Sequence, residues 1–186
     1  VDEKGTSLDP TKVAAVESWV LPKTQADLSR FLGFCGFLRG NIRHYNDLTA
    51  PLHDIQESGK LTLVRWTKES EAAFLNLKKA IATAPRVGYI DWDKAVSLAI
   101  DASARGVGAV LYQPKQPSDP PTADTVISFT SRALLKHERN YAPYKLELLG
   151  LVNALVVFEH ILAGIEFTVL TDHRALTVLL TQAGTN

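Results

Sequence analysis

The first 85 residues carry apolar side chains at helical spacing. The clearest stripe contains Leu28, Phe31, Leu32, Cys35 and Leu38, all on one face of a helix. Three helices are predicted: one over 10–20 with Asp9 as its N-cap and Pro10 at its first position, one that begins after Thr24, and one from Thr67 that ends before Ala84-Pro85. This half of the chain is therefore predicted to be helical.

From Val96 onward the pattern changes to short apolar runs that are typical of strands. Strands are predicted over 96–100, 107–112, 126–130 and 167–170, with a long apolar helix over 140–162 and the start of another helix over 175–180. A helix between two strands of one sheet is normally a right-handed crossover, so the fourth strand should run parallel to an earlier one. The predicted fold class is α/β: a mixed sheet with a three-strand meander, a crossover helix, a parallel fourth strand and a helix, preceded by a helical segment.

Two of the predicted strands end in an aspartate, at Asp101 and Asp172. Ligands of α/β sheets collect at the carboxyl ends of parallel strands, so two neighbouring strands about 4.8 Å apart could offer both carboxylates to one cation. The alternative is that each aspartate simply opens a turn.

Glu147 shares a helix face with Leu151, Ala154, Phe158 and Leu162. A carboxylate on an apolar face is costly unless it is paired or bound to a metal, which favours a functional position over the sheet. The alternative is that Glu147, near the start of its helix, reaches solvent. The triad Asp101, Glu147 and Asp172 offers only oxygen ligands and predicts two Mg²⁺ ions, with Mn²⁺ as a substitute, and hydrolysis of a phosphodiester by a two-metal mechanism.

The amino-acid composition excludes some functional classes of protein but does not identify the function. The 186 residues contain 20 basic and 20 acidic side chains, so net charge does not indicate a polyanion partner, although a local basic face stays possible. The sequence contains no apolar run long enough to predict a membrane-spanning helix. Its single cysteine excludes a disulfide bond within the chain. We expect an intracellular protein, cytoplasmic, nuclear or in a virus-like particle, with no membrane partner and an oligomeric state that the sequence leaves open. The lack of methionine and the start at Val1 favour a fragment of a longer protein.

Three motifs resemble the ribonuclease H domain of Ty3/gypsy-type retrotransposon reverse transcriptases. They are Ile100-Asp101-Ala102-Ser103 with Gly106 to Gln113, Glu138 to Tyr141 with Glu147-Leu148-Leu149, and Phe167 to Val169 with Thr171 to Leu176. Segments such as Phe31-Leu32-Gly33, Ala50-Pro51-Leu52 and Trp66-Thr67 resemble the thumb and connection region of the same enzymes. The resemblance implies a thumb/connection segment over 1–88 and a ribonuclease H-like domain over 89–186 that lacks its last elements.

The resemblance further implies a hydrolase, an endonuclease that cuts the RNA strand of an RNA–DNA hybrid, within the polyprotein of an RNA-directed DNA polymerase. Its partners would be the hybrid and the rest of the reverse transcriptase polypeptide. Contacts with the hybrid are assigned more loosely, to Ser103, Asn140, Tyr141, His173, Arg39 and Arg43. For His173 and the arginines the alternative is a solvated surface position.

The sequence also departs from that family. The Tyr-x-Asp-Asp signature of the polymerase is missing, and no acidic residue follows Asp172, where the family carries a fourth catalytic aspartate. A second hypothesis therefore stays open: a catalytically silent module, retained from a retroelement for nucleic-acid binding or scaffolding. A third is an inert remnant of proteolysis.

Overall fold

The computed structural model describes residues 5–56, 62–116 and 119–172. Its helices are α1 (Pro10–Glu17), α2 (Gln25–Gly36), α3 (Tyr45–Asp54), α4 (Lys68–Ala82), α5 (Pro143–Val157) and the four-residue α6 (Glu159–Leu162). Its strands are β1 (Val96–Ala102), β2 (Gly106–Tyr112), β3 (Val126–Ala133) and β4 (Phe167–Leu170). Short 3₁₀ helices cover Arg39–Asn41 and Glu138–Asn140. The helix predicted over 175–180 lies outside the described residues.

The four strands form one sheet in the order β3-β2-β1-β4. β1 and β2, and β2 and β3, are antiparallel, whereas β1 and β4 are parallel with Ala99 beside Leu170 at the end of the register. The meander, the crossover helix and the parallel fourth strand are thus confirmed. This topology carries the ends of β1 and β4 to the same edge of the sheet.

Helices α1, α2 and α4 begin at the residues that the sequence predicts. Asp9 caps α1 by accepting from the backbone N–H of Thr11 at 2.8 Å, and Thr24 and Asp27 form a reciprocal capping box at the start of α2. A similar box, built from Thr67 and Ser70, begins α4. α1 ends at Glu17, three residues before the predicted end at Val20.

Helix α3 was not predicted. It contains Pro51, which removes a hydrogen-bond donor and usually interrupts a helix, so the local pattern does not favour one here. Its buried residues Tyr45, Thr49 and Leu52 nevertheless tie it to the core of the helical half, and tertiary packing compensates for the missing bond.

The helix predicted over 140–162 is corrected by the structure. Asn140 belongs to the separate 3₁₀ turn, and α5 begins at Pro143, whose fixed φ suits a first helical position. The helix is also interrupted at Phe158, which lies between α5 and α6. The apolar stripe continues across the interruption, since Leu151, Ala154, Phe158 and Leu162 all pack in one core cluster.

The helical half and the sheet-containing half each have a hydrophobic core. In the first, α1 to α4 bury an aromatic group around Phe31, which lies 4.7 Å from Phe74 and 5.5 Å from Trp19 between ring centroids. In the second, α5 packs on the face of the sheet that contains Leu98, Ile100 and Leu111. The opposite face carries a smaller cluster that includes Ala99, Val110 and Leu170.

Gly150 lies where α5 packs against β1 and β2. A Cβ at this position would meet Val107 Cβ at 3.6 Å and the carbonyl oxygens of Asp101 and Gly108 at 3.8 and 3.9 Å, which are ordinary contacts. We expect Gly150→Ala to stabilise the fold by about 1 kcal/mol through helix propensity. Gly150→Leu should destabilise it by about 1–3 kcal/mol, because a larger side chain forces α5 away from β1 and β2. Urea denaturation of the two variants measures the difference, and equal stabilities would contradict the close packing.

Candidate functional site

Asp101 is the penultimate residue of β1, and its side chain is half exposed. Because side chains alternate along a strand, Asp101 lies on the face of Ala99 and not on the face of Leu98 and Ile100 that α5 covers. Its carboxylate oxygen Oδ2 lies 3.5 Å from Nδ1 of His44, a residue of the helical half. The sheet face that carries Asp101 therefore contacts the helical half.

Glu147 approaches the same end of the sheet from the other face. It is only 6% exposed, so the alternative that it reaches solvent is wrong. Its Oε2 accepts a hydrogen bond from the Thr171 hydroxyl at 3.4 Å, and Thr171 directly precedes Asp172. One helical turn further along α5, Gly150 lies against the backbone of Asp101. Glu147 thus faces the ends of both β1 and β4.

Asp172 is exposed and follows the end of β4. It stands two residues beyond Leu170, as Asp101 stands two residues beyond the paired Ala99. The crossover topology therefore explains why aspartates distant in the chain share one edge, as the sequence predicts.

The donor set suits a hard cation in kind and in place, since all three groups are carboxylates at one edge of the sheet. They are not gathered around a common point. Within residues 5–56, 62–116 and 119–172, no three His, Cys, Asp or Glu side chains form a group that could hold a metal ion. The three carboxylates stay apart because Asp101 and Glu147 reach this edge from opposite faces of the sheet. Side chains alternate between the faces along β1, and Asp101 lies on the face that α5 does not cover.

The more loosely assigned contact residues fall in different places. Ser103 is engaged inside the protein, because its hydroxyl donates to Asp47 Oδ1 at 2.6 Å. Asn140 is exposed at the end of its 3₁₀ turn, and Tyr141 is 39% exposed, with Lys145 Nζ 6.0 Å from the centre of its ring. His173 lies outside the described residues.

Arg39 and Arg43 are both exposed, and they line different openings between the halves. Arg39 borders an open groove of about 790 Å³ that also contains the exposed ring of Phe37 and the backbone of Gly33, Gly36 and Gly40. None of the described residues that line this groove is acidic. Arg43 lies with His44 beside Ala99 and Asp101.

The turn that leads to α5 is fixed by a partly buried ion pair. Arg132 donates to both carboxylate oxygens of Glu138, at 2.9 and 3.0 Å, and the backbone N–H of Leu135 donates at 2.7 Å. Hydrogen bonding from Arg132, followed by that from Leu135, lowers the pKa of Glu138 below its ordinary value of 4.5.

A lowered pKa in the folded state predicts how stability depends on pH. The stabilisation from Glu138 is fully present above pH 4.5 and is lost as the pH falls through the lower pKa of the folded protein. We expect Glu138→Gln to lower stability at neutral pH and to flatten its decline in acid. Urea midpoints of both proteins, measured from about pH 6 to about pH 3, test this. Parallel curves would contradict it.

Sequence reasoning missed Asp47 and considered His44 only as a possible phosphate contact, whereas the structure places these two residues beside Ser103 and Asp101, respectively. Neither belongs to a recognisable motif. The backbone of His44 has φ +54°, a left-handed conformation that is uncommon for residues other than glycine and asparagine. The amino-acid sequence alone does not show this conformation.

Comparison of the amino-acid sequence with known proteins shows a family to which this chain is similar. The sequence profile described as "RNase H-like domain found in reverse transcriptase" matches residues 66–169, more than half of the chain. The chain is 35% identical over 177 residues to the retrovirus-related Pol polyprotein from transposon 297 of Drosophila melanogaster, with 95% of the chain and 16% of that protein covered. It is 32% identical over 197 residues to the Pol polyprotein from transposon gypsy of the same fly, covering 100% of the chain and 18% of that protein.

A yeast relative and two solved structures agree with this. The Tf2-3 polyprotein of Schizosaccharomyces pombe is 32% identical over 95% of the chain and 13% of that protein. The chain thus spans less than a fifth of the length of these relatives. The foamy viral protease-reverse transcriptase has the same fold, with a TM-score of 0.74 at 17% identity, both in complex with an RNA/DNA hybrid (93% of this chain, 23% of that one) and as the dRH form in complex with double-stranded DNA (94% and 30%).

No helix among the described residues is both long enough and apolar enough to cross a bilayer.

Proposed function

This chain belongs to the family of RNase H-like domains found in reverse transcriptases, and from that premise we propose that it cuts the RNA strand of RNA–DNA hybrids. It would act as one segment of a retrotransposon Pol polyprotein, with the rest of the reverse transcriptase as its partner. Such a polyprotein would work in the cytoplasm or nucleus, or in a virus-like particle.

The observation that carries the proposal is the burial of Glu147 against the ends of β1 and β4. A carboxylate that is 6% exposed on an otherwise apolar helix face is costly to bury, and Glu147 accepts a hydrogen bond from Thr171, the residue before Asp172. Its position toward the edge that also carries Asp101 and Asp172 is expected for a group that serves a cation.

Asp101, Glu147 and Asp172 would hold two Mg²⁺ ions. Bound there, the ions supply a water of lowered pKa and neutralise charge on the oxygen that leaves. The carboxylates orient that water toward phosphorus. Its attack breaks the bond to the 3′ oxygen, so that one RNA fragment carries a 3′-hydroxyl and the other a 5′-phosphate.

The open groove beside Arg39 supports a path for the hybrid. It lacks acidic side chains among its described residues, and it offers bare glycine backbone and the exposed Phe37 ring. Recognition by backbone and shape is expected for an A-form hybrid, whose shallow minor groove displays 2′-hydroxyls. Arg43, Asn140 and Tyr141 are further candidate contacts.

The test is a cleavage assay with the full 186-residue chain. A hybrid labelled on its RNA strand is incubated with Mg²⁺, with Mn²⁺ and with a chelator. The proposal expects internal cuts with either metal, none with the chelator, and no cutting of the same RNA when it is single-stranded. A chain that never cuts under these conditions contradicts the proposal.

A second candidate is favoured by one observation, that the described acidic residues form no metal-binding group. A scaffolding module that binds the hybrid without cutting it would need no such group. Hybrid binding in an electrophoretic shift experiment, together with no cleavage in either metal, would support this candidate over the nuclease.

A further inference from the structure

Helix α5 is apolar on two sides. Its inner face, which contains Gly150 and Leu151, packs on β1 and β2. Its outer face carries four exposed apolar side chains: Leu148, Val152, Leu155 and Val156. Val152 is 50% exposed and Val156 is 69% exposed. A helix that is apolar on opposite sides normally has a packing partner on each side, and a contiguous apolar patch on the surface marks an interaction site.

The two ends of this outer face carry opposite charges. Lys145 is exposed three residues before Leu148, and its Nζ lies 6.0 Å from the ring centre of Tyr144. Glu159 is exposed three residues after Val156, where α6 begins. At the rise of an α-helix, the distance from Lys145 to Glu159 is about 21 Å. The outer face is thus an apolar surface with a cation at one end and an anion at the other.

This arrangement is symmetrical about Val152. Lys145 and Glu159 are each seven residues away from Val152 in sequence, and Leu148 and Val156 are each four residues away. In two antiparallel copies of α5 that meet at Val152, each Leu148 would therefore face Val156 of the other copy. Each Lys145 would face Glu159 of the other copy. A parallel arrangement would instead bring like charges together.

We propose that the outer face of α5 binds the same face of a second copy of this chain, in an antiparallel two-fold dimer centred on Val152. A two-fold interface uses one patch on both subunits, so that patch must be complementary to itself, and the charges at the two ends meet this requirement. The contact is one helix wide, which predicts a weak dimer that depends on protein concentration. The inference goes beyond the proposed function and does not depend on it, because the outer face contains none of the candidate metal ligands or hybrid contacts.

The test is sedimentation velocity on the 186-residue chain over a wide range of protein concentrations. The monomer has a mass of 20.4 kDa, and we expect the measured mass to rise toward twice this value as the concentration increases. Val152→Glu would place two carboxylates together at the two-fold axis and should weaken the dimer at least about a hundredfold. Since Val152 is half exposed in the single chain, this variant should fold, and thermal unfolding measures whether it does.

Charge reversal tests the antiparallel register with exposed residues alone. Lys145→Glu would set two glutamates against each other at both ends of the interface, and Glu159→Lys would do the same with two lysines. We expect each single variant to dimerise at least about tenfold more weakly than the wild type. The double variant restores opposite charges at both ends and should dimerise within about threefold of the wild type.

The matched control is Leu75→Glu, which adds the same charge at a 62% exposed apolar residue of α4. It should leave dimerisation unchanged. A mass of 20.4 kDa at every concentration would overturn the proposal, as would a dimer that Val152→Glu does not weaken. An equal loss in Leu75→Glu would assign the effect to added charge and would also overturn it. A double variant as weak as the single variants would exclude the antiparallel pairing about Val152.

Discussion

Cleavage of an RNA–DNA hybrid should fall at least about a hundredfold when Asp101 is replaced by asparagine, a loss that corresponds to about 2.7 kcal/mol of transition-state stabilisation. The substitution keeps the shape of the side chain and removes the negative charge that would hold Mg²⁺. Since the Asp101 side chain is half exposed, the fold should tolerate the change. Single-turnover rates at saturating hybrid measure the effect, because they separate the chemical step from binding and product release.

The control for this variant is Asp93→Asn. Asp93 is an exposed carboxylate just before the amino end of β1, at the opposite edge of the sheet from Asp101. It carries the same charge and should leave the rate unchanged. Equal losses in both variants would assign the effect to net charge, and an unchanged rate in Asp101→Asn would remove this aspartate from the mechanism.

The largest effect on stability is expected in the helical half, at Phe31. Its side chain is fully buried and packs between the rings of Trp19 and Phe74, at centroid distances of 5.5 and 4.7 Å. Phe31→Ala removes this contact area and leaves a cavity that rigid neighbouring helices cannot fill. We expect a loss of about 3–5 kcal/mol in the free energy of unfolding, measured by urea denaturation.

Phe37 supplies the matched comparison, because it lies at the C-terminal end of the same helix and is 86% exposed. Phe37→Ala should change stability by less than about 0.5 kcal/mol. Should Phe31→Ala cost no more than Phe37→Ala, the aromatic group would not be the core of the helical half. The same pair separates stability from function, since Phe37 borders the groove proposed for the hybrid.

The sequence predicted the elements whose signals are local. The capping residues Asp9, Thr24 and Thr67 all begin helices, because a side-chain oxygen that satisfies the first free N–H groups acts within one turn. The stripe from Glu147 to Leu162 left two positions open for Glu147, over the sheet or in solvent, and the structure shows that it is buried. Period and capping both depend on neighbours within a few residues, and so they can be read from one sequence.

Features decided by distant contacts could not be read in this way. Helix α3 forms in spite of Pro51 because its apolar residues pack against α2 and α4. The same reason hides the side chains around Asp101, because the bridge from His44 spans two halves of the fold. Sequence placed Asp101 and Glu147 at one edge, but only the structure shows that they approach it from opposite faces.

The parallel pairing of β1 with β4 has a consequence for protein synthesis. Asp101 leaves the ribosome well before Asp172, and β2, β3 and α5 must be made between them. Pairing of segments so far apart in the chain is slow compared with local helix formation. The helical half of a growing polypeptide can therefore fold while β1 still lacks its parallel neighbour, so the edge of the sheet that carries Asp101 and Asp172 is completed only when β4 docks.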